Sequence, residues 1–314
     1  MPPGIRLEGC IPCFGRLHME KNPFSIYDFM GYLFPGILTL FLLQSFMGED
    51  TFSIKDLLDL EQIRTITNNF GESFSLESSI ICIVLSYTIG HIMSYMSSIT
   101  VEYFSNKVFG YPSEYLMSEE RNIGVNIIKR YFIADSRNDD TRLIKIGRFI
   151  WRLIVAFILF PLCLMTFTIG ILGGVNKFIT RSLDRYVIDS IKSKSFQMAN
   201  KLGITQPSVN SDSDYHRIVM HYVYVNIPVS HAKTDNYISL YGFLRSICFI
   251  FSIMFLIYGI QAIFTIDFEC SIDWNTIKSL TLFFFFSYFC FLAFVKFYRR
   301  FTLENYMSLL AETE

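Results

Sequence analysis

The residues best placed to do chemistry fall on one stretch of the chain. Taken at about 100° per residue, Tyr87, His91, Ser94, Tyr95, Ser98 and Glu102 lie within about a 100° arc, a continuous polar strip on an otherwise apolar helix. Polar and ionisable groups are costly against lipid, so such a strip must turn toward water or toward neighbouring helices. One reading is the lining of a pore or proton path with His91 as its titratable element, because imidazole changes charge near neutral pH. The other is tight helix packing, with His91 hydrogen-bonded to a neighbour. Ser86, Gly90, Ser94 and Ser98 form a small-residue ladder at every fourth position, which lets a second backbone approach closely.

Elsewhere the chemistry is thin. His216, His221 and His231 lie near Asp212 and Asp214, but two histidines five apart share neither a helical face nor one side of a strand, so no metal site is expected. Cys10 and Cys13 make a lone C-x-x-C with no second pair or histidine at zinc-binding spacing. Cys82, Cys163, Cys248 and Cys290 fall in apolar runs and read as reduced core residues. No nucleophile-elbow, phosphate-loop, zinc-protease or kinase motif is present, so neither covalent catalysis nor a cofactor is expected. Gly170 to Gly173 reads as packing or capping, and Glu119-Glu120-Arg121 as a solvated helix face. The alternative to a non-enzymatic protein is a membrane enzyme working on a lipid or polyprenyl substrate with Glu102, His91 and the histidine and aspartate residues downstream.

The elements that must hold these residues are membrane helices. Apolar residues make up 52% of the 314 and charged ones only 18%, with 33 Phe against two Trp, which argues against an ordinary soluble domain and against disorder. A hydrocarbon core about 30 Å thick asks for about 20 apolar residues in helix. Runs free of Asp, Glu, Lys and Arg cover residues 29–48, 78–101, 153–176, 246–266 and 279–295. The first carries Pro35-Gly36 inside it and is expected to kink there. The first eighteen residues lack the apolar core of a cleavable signal peptide, and Met19 is a plausible translation start.

Charge sets the sidedness. Residues 49–77 hold two basic residues against seven carboxylates, whereas 102–152 and 177–245 hold nine basic residues each. The connection 267–278 has one base and three acids, and Lys296, Arg299 and Arg300 follow the last run. Positive loops stay cytoplasmic. Both flanks of the third run are then on the same side, and Pro161 interrupts its middle, so it reads as a proline-centred re-entrant hairpin, with a kinked fifth span as the other solution. Net charge of −1 leaves no nucleic-acid footprint.

The organisation that follows is an all-α membrane protein with four transmembrane helices, a hairpin or fifth span, and a mostly helical cytoplasmic region. Its parts are a cytoplasmic tail over 1–27, two spans with an acidic external loop over 28–101, a cytoplasmic region over 102–245 with the hairpin at 153–176, two spans over 246–295, and a cytoplasmic tail over 296–314. Phe178, Ile179, Leu183, Tyr186, Val187 and Ile191 predict an amphipathic helix ending near Gly203, to lie on anionic lipid or on the rest of the cytoplasmic part. A second short amphipathic helix is expected over residues 54–66. Residues 218–225 fit a strand or a helix end. From about Ser230 a helix is expected to run through Arg245 into the fourth run as one rod.

Three segments, Tyr27-Asp28-Phe29-Met30-Gly31-Tyr32-Leu33-Phe34-Pro35-Gly36, the Tyr-x-x-Gly-His of residues 87–91, and Tyr241-Gly242-Phe243-Leu244-Arg245, together resemble a loose group of uncharacterised bacterial multi-pass membrane proteins. The resemblance implies a bacterial inner-membrane setting, in which such proteins sometimes act as stress or phage-defence effectors. It transfers no activity. The expected function is an oligomeric membrane effector, channel or anchor gated from its cytoplasmic part, with the lipid bilayer, further copies of itself and a cytoplasmic protein as partners.

Overall fold

The computed structural model describes residues 28–47, 76–118, 127–132, 141–204, 213–264 and 274–312. Among these the chain is helical, without a strand. Cys10, Cys13, Met19 and residues 54–66 and 119–121 lie outside the described residues. A π-helical turn, Phe29–Leu33, leads into α1 (Phe34–Met47), and α2 (Leu76–Ser97) continues through a second π-helical turn, Ser98–Glu102, into α3 (Tyr103–Val108). Then follow α4 (Pro112–Leu116), α5 (Ile127–Phe132), α6 (Arg142–Ile158), α7 (Phe160–Phe167), α8 (Ile169–Leu172), α9 (Val175–Ile179), α10 (Arg185–Lys201) and α11 (Ser213–Asn226). After a 3-10 turn at Pro228–Ser230 come the two long helices, α12 (His231–Phe264) and α13 (Trp274–Ala311).

Three described stretches are long and apolar enough to cross a membrane: Ser79–Leu116, His231–Phe264 and Thr276–Ala311. The first apolar run is shorter, Phe29–Gln44. Its Pro35 cannot donate a backbone hydrogen bond, and the π-helical turn just before it already widens the ladder, with Phe34 N–H bonded to Phe29 O. Thr39 Oγ1 donates to the Pro35 carbonyl at 2.7 Å.

α12 begins at His231 and is unbroken, so the rod expected from about Ser230 forms. At about 1.5 Å per residue its 34 residues span about 51 Å and the 38 of α13 about 57 Å, well beyond a hydrocarbon core. The two run antiparallel, joined by aromatic pairs from Tyr237–Phe297 at one end to Tyr258–Phe283 at the other. A central core of Phe104, Tyr131, Leu162, Phe249, Phe291 and Phe294 ties α3, α5 and α7 to this pair. Leu42 of α1 packs on a second cluster with Ile250, Met254 and Phe283.

The third apolar run is bent. The axes of Arg142–Ile158 and Phe160–Leu172 meet at 92°. The break falls at Leu159 (φ −99°, ψ 30°), so Pro161 sits in the first turn of α7, where its fixed φ suits the helix and its missing amide leaves no gap. At the apex Phe160 stacks on Phe255, midway along the apolar part of α12, with ring centroids 6.3 Å apart. Tyr131 meets both arms: its hydroxyl donates to Arg152 O at 2.9 Å and its ring lies 6.3 Å from that of Phe167. Beyond α9, Arg299 donates to Arg181 O at 2.9 Å and Leu183 N–H to Leu116 O at 3.1 Å. Tyr131 thus touches both arms of the bend, and the segment after α9 lies at the end of the bundle where α12 begins.

That end carries a third cluster, in which Ile191 and Met198 of α10 and Val219 and Val223 of α11 pack on Tyr306 and Leu309 of α13. Residues 218–225 are thus helical. The amphipathic helix expected from Phe178 is split: Leu183 N–H bonds across to α4 instead of into a helix, and α10 starts only at Arg185. Ile188, Ile191, Met198 and Ala199 of α10 are buried on protein, whereas Phe178 and Tyr186 of the expected apolar face are exposed. Gly203, in the left-handed region at φ 72°, ends α10 where the sequence placed its stop.

Candidate functional site

The polar strip of α2 divides into two halves with different surroundings. In the half farther from the π-helical turn, Ser86 and Gly90 face α1 at backbone contact. A methyl group on Gly36 would come within 1.7 Å of Ser86 O, and one on Gly90 within 1.8 Å of Tyr32 O. Only glycine fits at either position, and the crossing brings Tyr32 onto His91. Their rings stack at 3.7 Å between centroids, and Tyr87 meets the same imidazole edge-on at 4.6 Å. The remaining side of His91 is exposed, and Tyr95, one turn on, is 67% exposed.

The nearer half turns inward, onto α12. Arg245 pairs with the Glu102 carboxylate, donates from Nε to Ser97 Oγ at 3.2 Å, and reaches the Ser94 carbonyl at 3.5 Å. Ser97 is itself fully buried, 3.5 Å from Ser246 Oγ. The π-helical turn Ser98–Glu102 explains how Glu102 joins this set. In a regular helix Glu102 would lie about 140° round from Ser97. The wider turn takes in an extra residue and returns the carboxylate to the Ser97 side. The Arg245 and Glu102 side chains are only 13% and 26% exposed, so the pair is shielded from water on most sides. By contrast, the Lys233–Glu304 pair at 2.6 Å is open to solvent and contributes little.

Below this clamp lies a pocket of about 470 Å³, lined by Ser98, Glu102, Tyr103, Asn106, Lys107 and, from α6, Trp151, among others. The Lys107 ammonium sits over the Tyr103 ring, 5.8 Å from its centroid.

His91 and Glu102 are not brought together: they are eleven positions apart, about 16 Å along the helix. Nor do the other histidines converge. His216 packs against Tyr306 with ring centroids 5.4 Å apart, and burial pushes its pKa down to about 4. His231 stacks on Tyr224 and bonds its carbonyl. Among the described residues no group of three metal-binding side chains forms. Cys163 and Cys248 are buried and Cys82 and Cys290 half-buried, all as free thiols.

Arg245 and Ser97 are the members that the helical-arc reading of α2 leaves out. Ser97 lies 60° outside the arc, and Arg245 belongs to another helix. A signal for the pair was nonetheless present. A lone base one residue before one apolar run and a lone acid one residue after another mark the same end of two antiparallel helices, where each can neutralise the other. No protein-family model, no curated protein and no solved structure matches this chain.

Proposed function

We propose that the chain is a multi-pass bacterial inner-membrane protein, both termini cytoplasmic, that works without covalent catalysis as a homo-oligomeric effector, channel or anchor gated from its cytoplasmic part. One observation carries this reading: in a helix long and apolar enough to cross a bilayer, His91 and Tyr95 lie on the outer surface of the single chain. Exposed to lipid they would be costly. A second copy laid against the strip covers them and encloses a polar path between subunits.

The topology that goes with it has four spans and a re-entrant element made of α6, α7 and α8. Its support is the basic character of both flanks together with the contact of both arms with Tyr131, and Phe160 at the apex against Phe255. The bend is covered by α12, as a non-helical backbone inside a bilayer requires. Gating runs through α12, whose rod reaches from the α11 junction past the Arg245 clamp into the apolar run, so that rotation at its cytoplasmic end moves the residues facing Ser97 and Glu102. The bacterial inner-membrane setting that the resemblance implies is what supports a role in stress or phage defence, and a cytoplasmic protein is proposed as the gating partner.

Ion flux through liposomes holding the purified protein is the test. Conductance altered by His91→Ala is expected. No conductance under any gating condition, together with an unchanged cellular phenotype for His91→Ala, removes the pore version, and stoichiometric co-purification of a soluble protein then selects the anchor.

A further inference from the structure

We infer that α6 is an arm that binds anionic lipid: its outward stripe lies on the acyl chains of the cytoplasmic leaflet, and Arg142 and Lys145 reach the phosphate headgroups. The inference rests on the reading that α12 crosses a bilayer and begins in the cytoplasm, and on nothing about pores or oligomers.

The faces of α6 are unequal. At about 100° per residue, Leu143, Ile146, Ile150, Leu153, Ile154 and Phe157 fall within about a 100° arc, and each is between 44% and 81% exposed. The four cations of the helix, Arg142, Lys145, Arg148 and Arg152, lie outside that arc, and the helix contains no acid. Arg152 is buried and donates to Phe132 O at 2.9 Å, and Arg148 is half-buried, so these two turn toward protein. Arg142 and Lys145 are exposed at the start of the helix. A surface helix in water turns its apolar arc to the core, whereas α6 turns Arg152 and Val155 inward and its apolar arc outward. An apolar medium is the one that suits such a face.

The course of the helix identifies that medium. Beyond Phe157 comes the bend, where Phe160, itself 46% exposed, stacks on Phe255 midway along the apolar part of α12. The deep end of the arc is therefore level with hydrocarbon. Halfway back, Trp151 lines the same pocket as Glu102, whose partner Arg245 stands one residue before the apolar run, so this part of α6 is level with the charged end of that run. Arg142, Leu143 and Lys145 lie about two turns further along the same slope, at the headgroups. An apolar arc that continues without a break from the hydrocarbon favours lipid over a second copy as its cover. The cations at its outer end favour anionic headgroups over neutral ones. Asp135, Asp139 and Asp140 precede the helix, and residues 135–152 still carry five bases against three acids.

The test uses the full chain with its seven native cysteines replaced, carrying one fluorescent probe and reconstituted into phosphatidylcholine vesicles with or without phosphatidylglycerol. Probes on Leu143→Cys, Ile150→Cys and Phe157→Cys are expected to be quenched by nitroxide-labelled acyl chains, and one on Thr141→Cys, off the arc, by aqueous iodide. With phosphatidylglycerol present, nitroxide quenching at Leu143→Cys should rise about threefold while that at Phe157→Cys holds. Arg142→Gln with Lys145→Gln should abolish the rise. Should that double change lower the helical circular dichroism, high salt on the chain with both cations intact gives the same readout, because it screens the headgroup attraction. Stripe probes shielded from both quenchers, as a second copy would leave them, or quenched by iodide, overturn the lipid cover. Equal quenching with and without phosphatidylglycerol overturns the anionic assignment. Quenching does not depend on ion flux, so its failure and a failure of conductance are told apart.

Discussion

Arg245 bonds Glu102, Ser97 and the Ser94 carbonyl at once, so one side chain fixes both the rotation and the height of α2 against α12. Removing one partner of a shielded ion pair leaves the other charge desolvated and unpaired, which costs more than the pair contributes. Arg245→Ala is expected to destabilise the protein by about 2 kcal/mol, lowering its melting temperature in mild detergent by several degrees. Glu102→Ala with Arg245→Ala should cost less than the sum of the single changes, the coupling expected of residues in direct contact. Arg245→Lys should fall between, since an ammonium keeps the charge but not the planar fork that reaches Glu102 and Ser97 together. A double-mutant cycle with no coupling would show the clamp to be inert.

At the scale of elements, the α1–α2 crossing is a backbone-to-backbone contact, because Gly36 and Gly90 each bring a backbone to within what a methyl group would occupy. Gly90→Ala is therefore expected to separate the helices and to lose the Tyr32–His91 stack, read as faster proteolysis of the α1 end with helical content elsewhere retained. The α11–α13 junction behaves differently, since it holds an imidazole that burial keeps neutral. The His216 pKa is about 4 in the fold against about 6.5 unfolded. Stability is therefore full above about pH 6.5, declines as pH falls from about 6.5 to about 4 while only the unfolded chain takes up the proton, and is level below that. The full loss is up to about 3 kcal/mol. His216→Phe should flatten the dependence, measured as melting temperature across that range.

For the whole molecule, sidedness follows from where exposed positions can be labelled. In a background with the seven native cysteines replaced, probes at Leu143 and Phe178, which are 81% and 82% exposed, flank the bend, and one at Trp274, 65% exposed, stands at the start of α13. A membrane-impermeant thiol reagent applied to intact spheroplasts should modify Trp274→Cys and leave Leu143→Cys and Phe178→Cys untouched. Labelling of Phe178→Cys alone among the two flanks would make the third run a span. Asn176 is unsuited to such a probe, being buried with its amide donating to Thr166 O at 3.1 Å. Oligomerisation is read separately: Tyr95→Cys, on the exposed part of α2, should cross-link between copies in native membranes, whereas Ser97→Cys, buried against α12, should not.

Composition and run length by themselves determined that the chain has helices long and apolar enough to cross a membrane, because apolar content and the bilayer's thickness act residue by residue and need no partner. They also determined the α12 rod, whose sequence carries no break between Ser230 and the apolar run, and the interruption near Pro161, whose ring has no amide to give. What the tertiary structure alone decided is which side of each helix meets which neighbour. A π-helical turn invisible to a fixed angle per residue moved Glu102 toward Ser97, and Arg245 joined them from 143 positions away. Ile191 and Met198 of the amphipathic stretch that forms α10 pack on α13, while α6 exposes its apolar stripe. Periodicity shows that a helix has an oily face. It carries no record of what covers that face, since the covering residues come from elements distant in the chain.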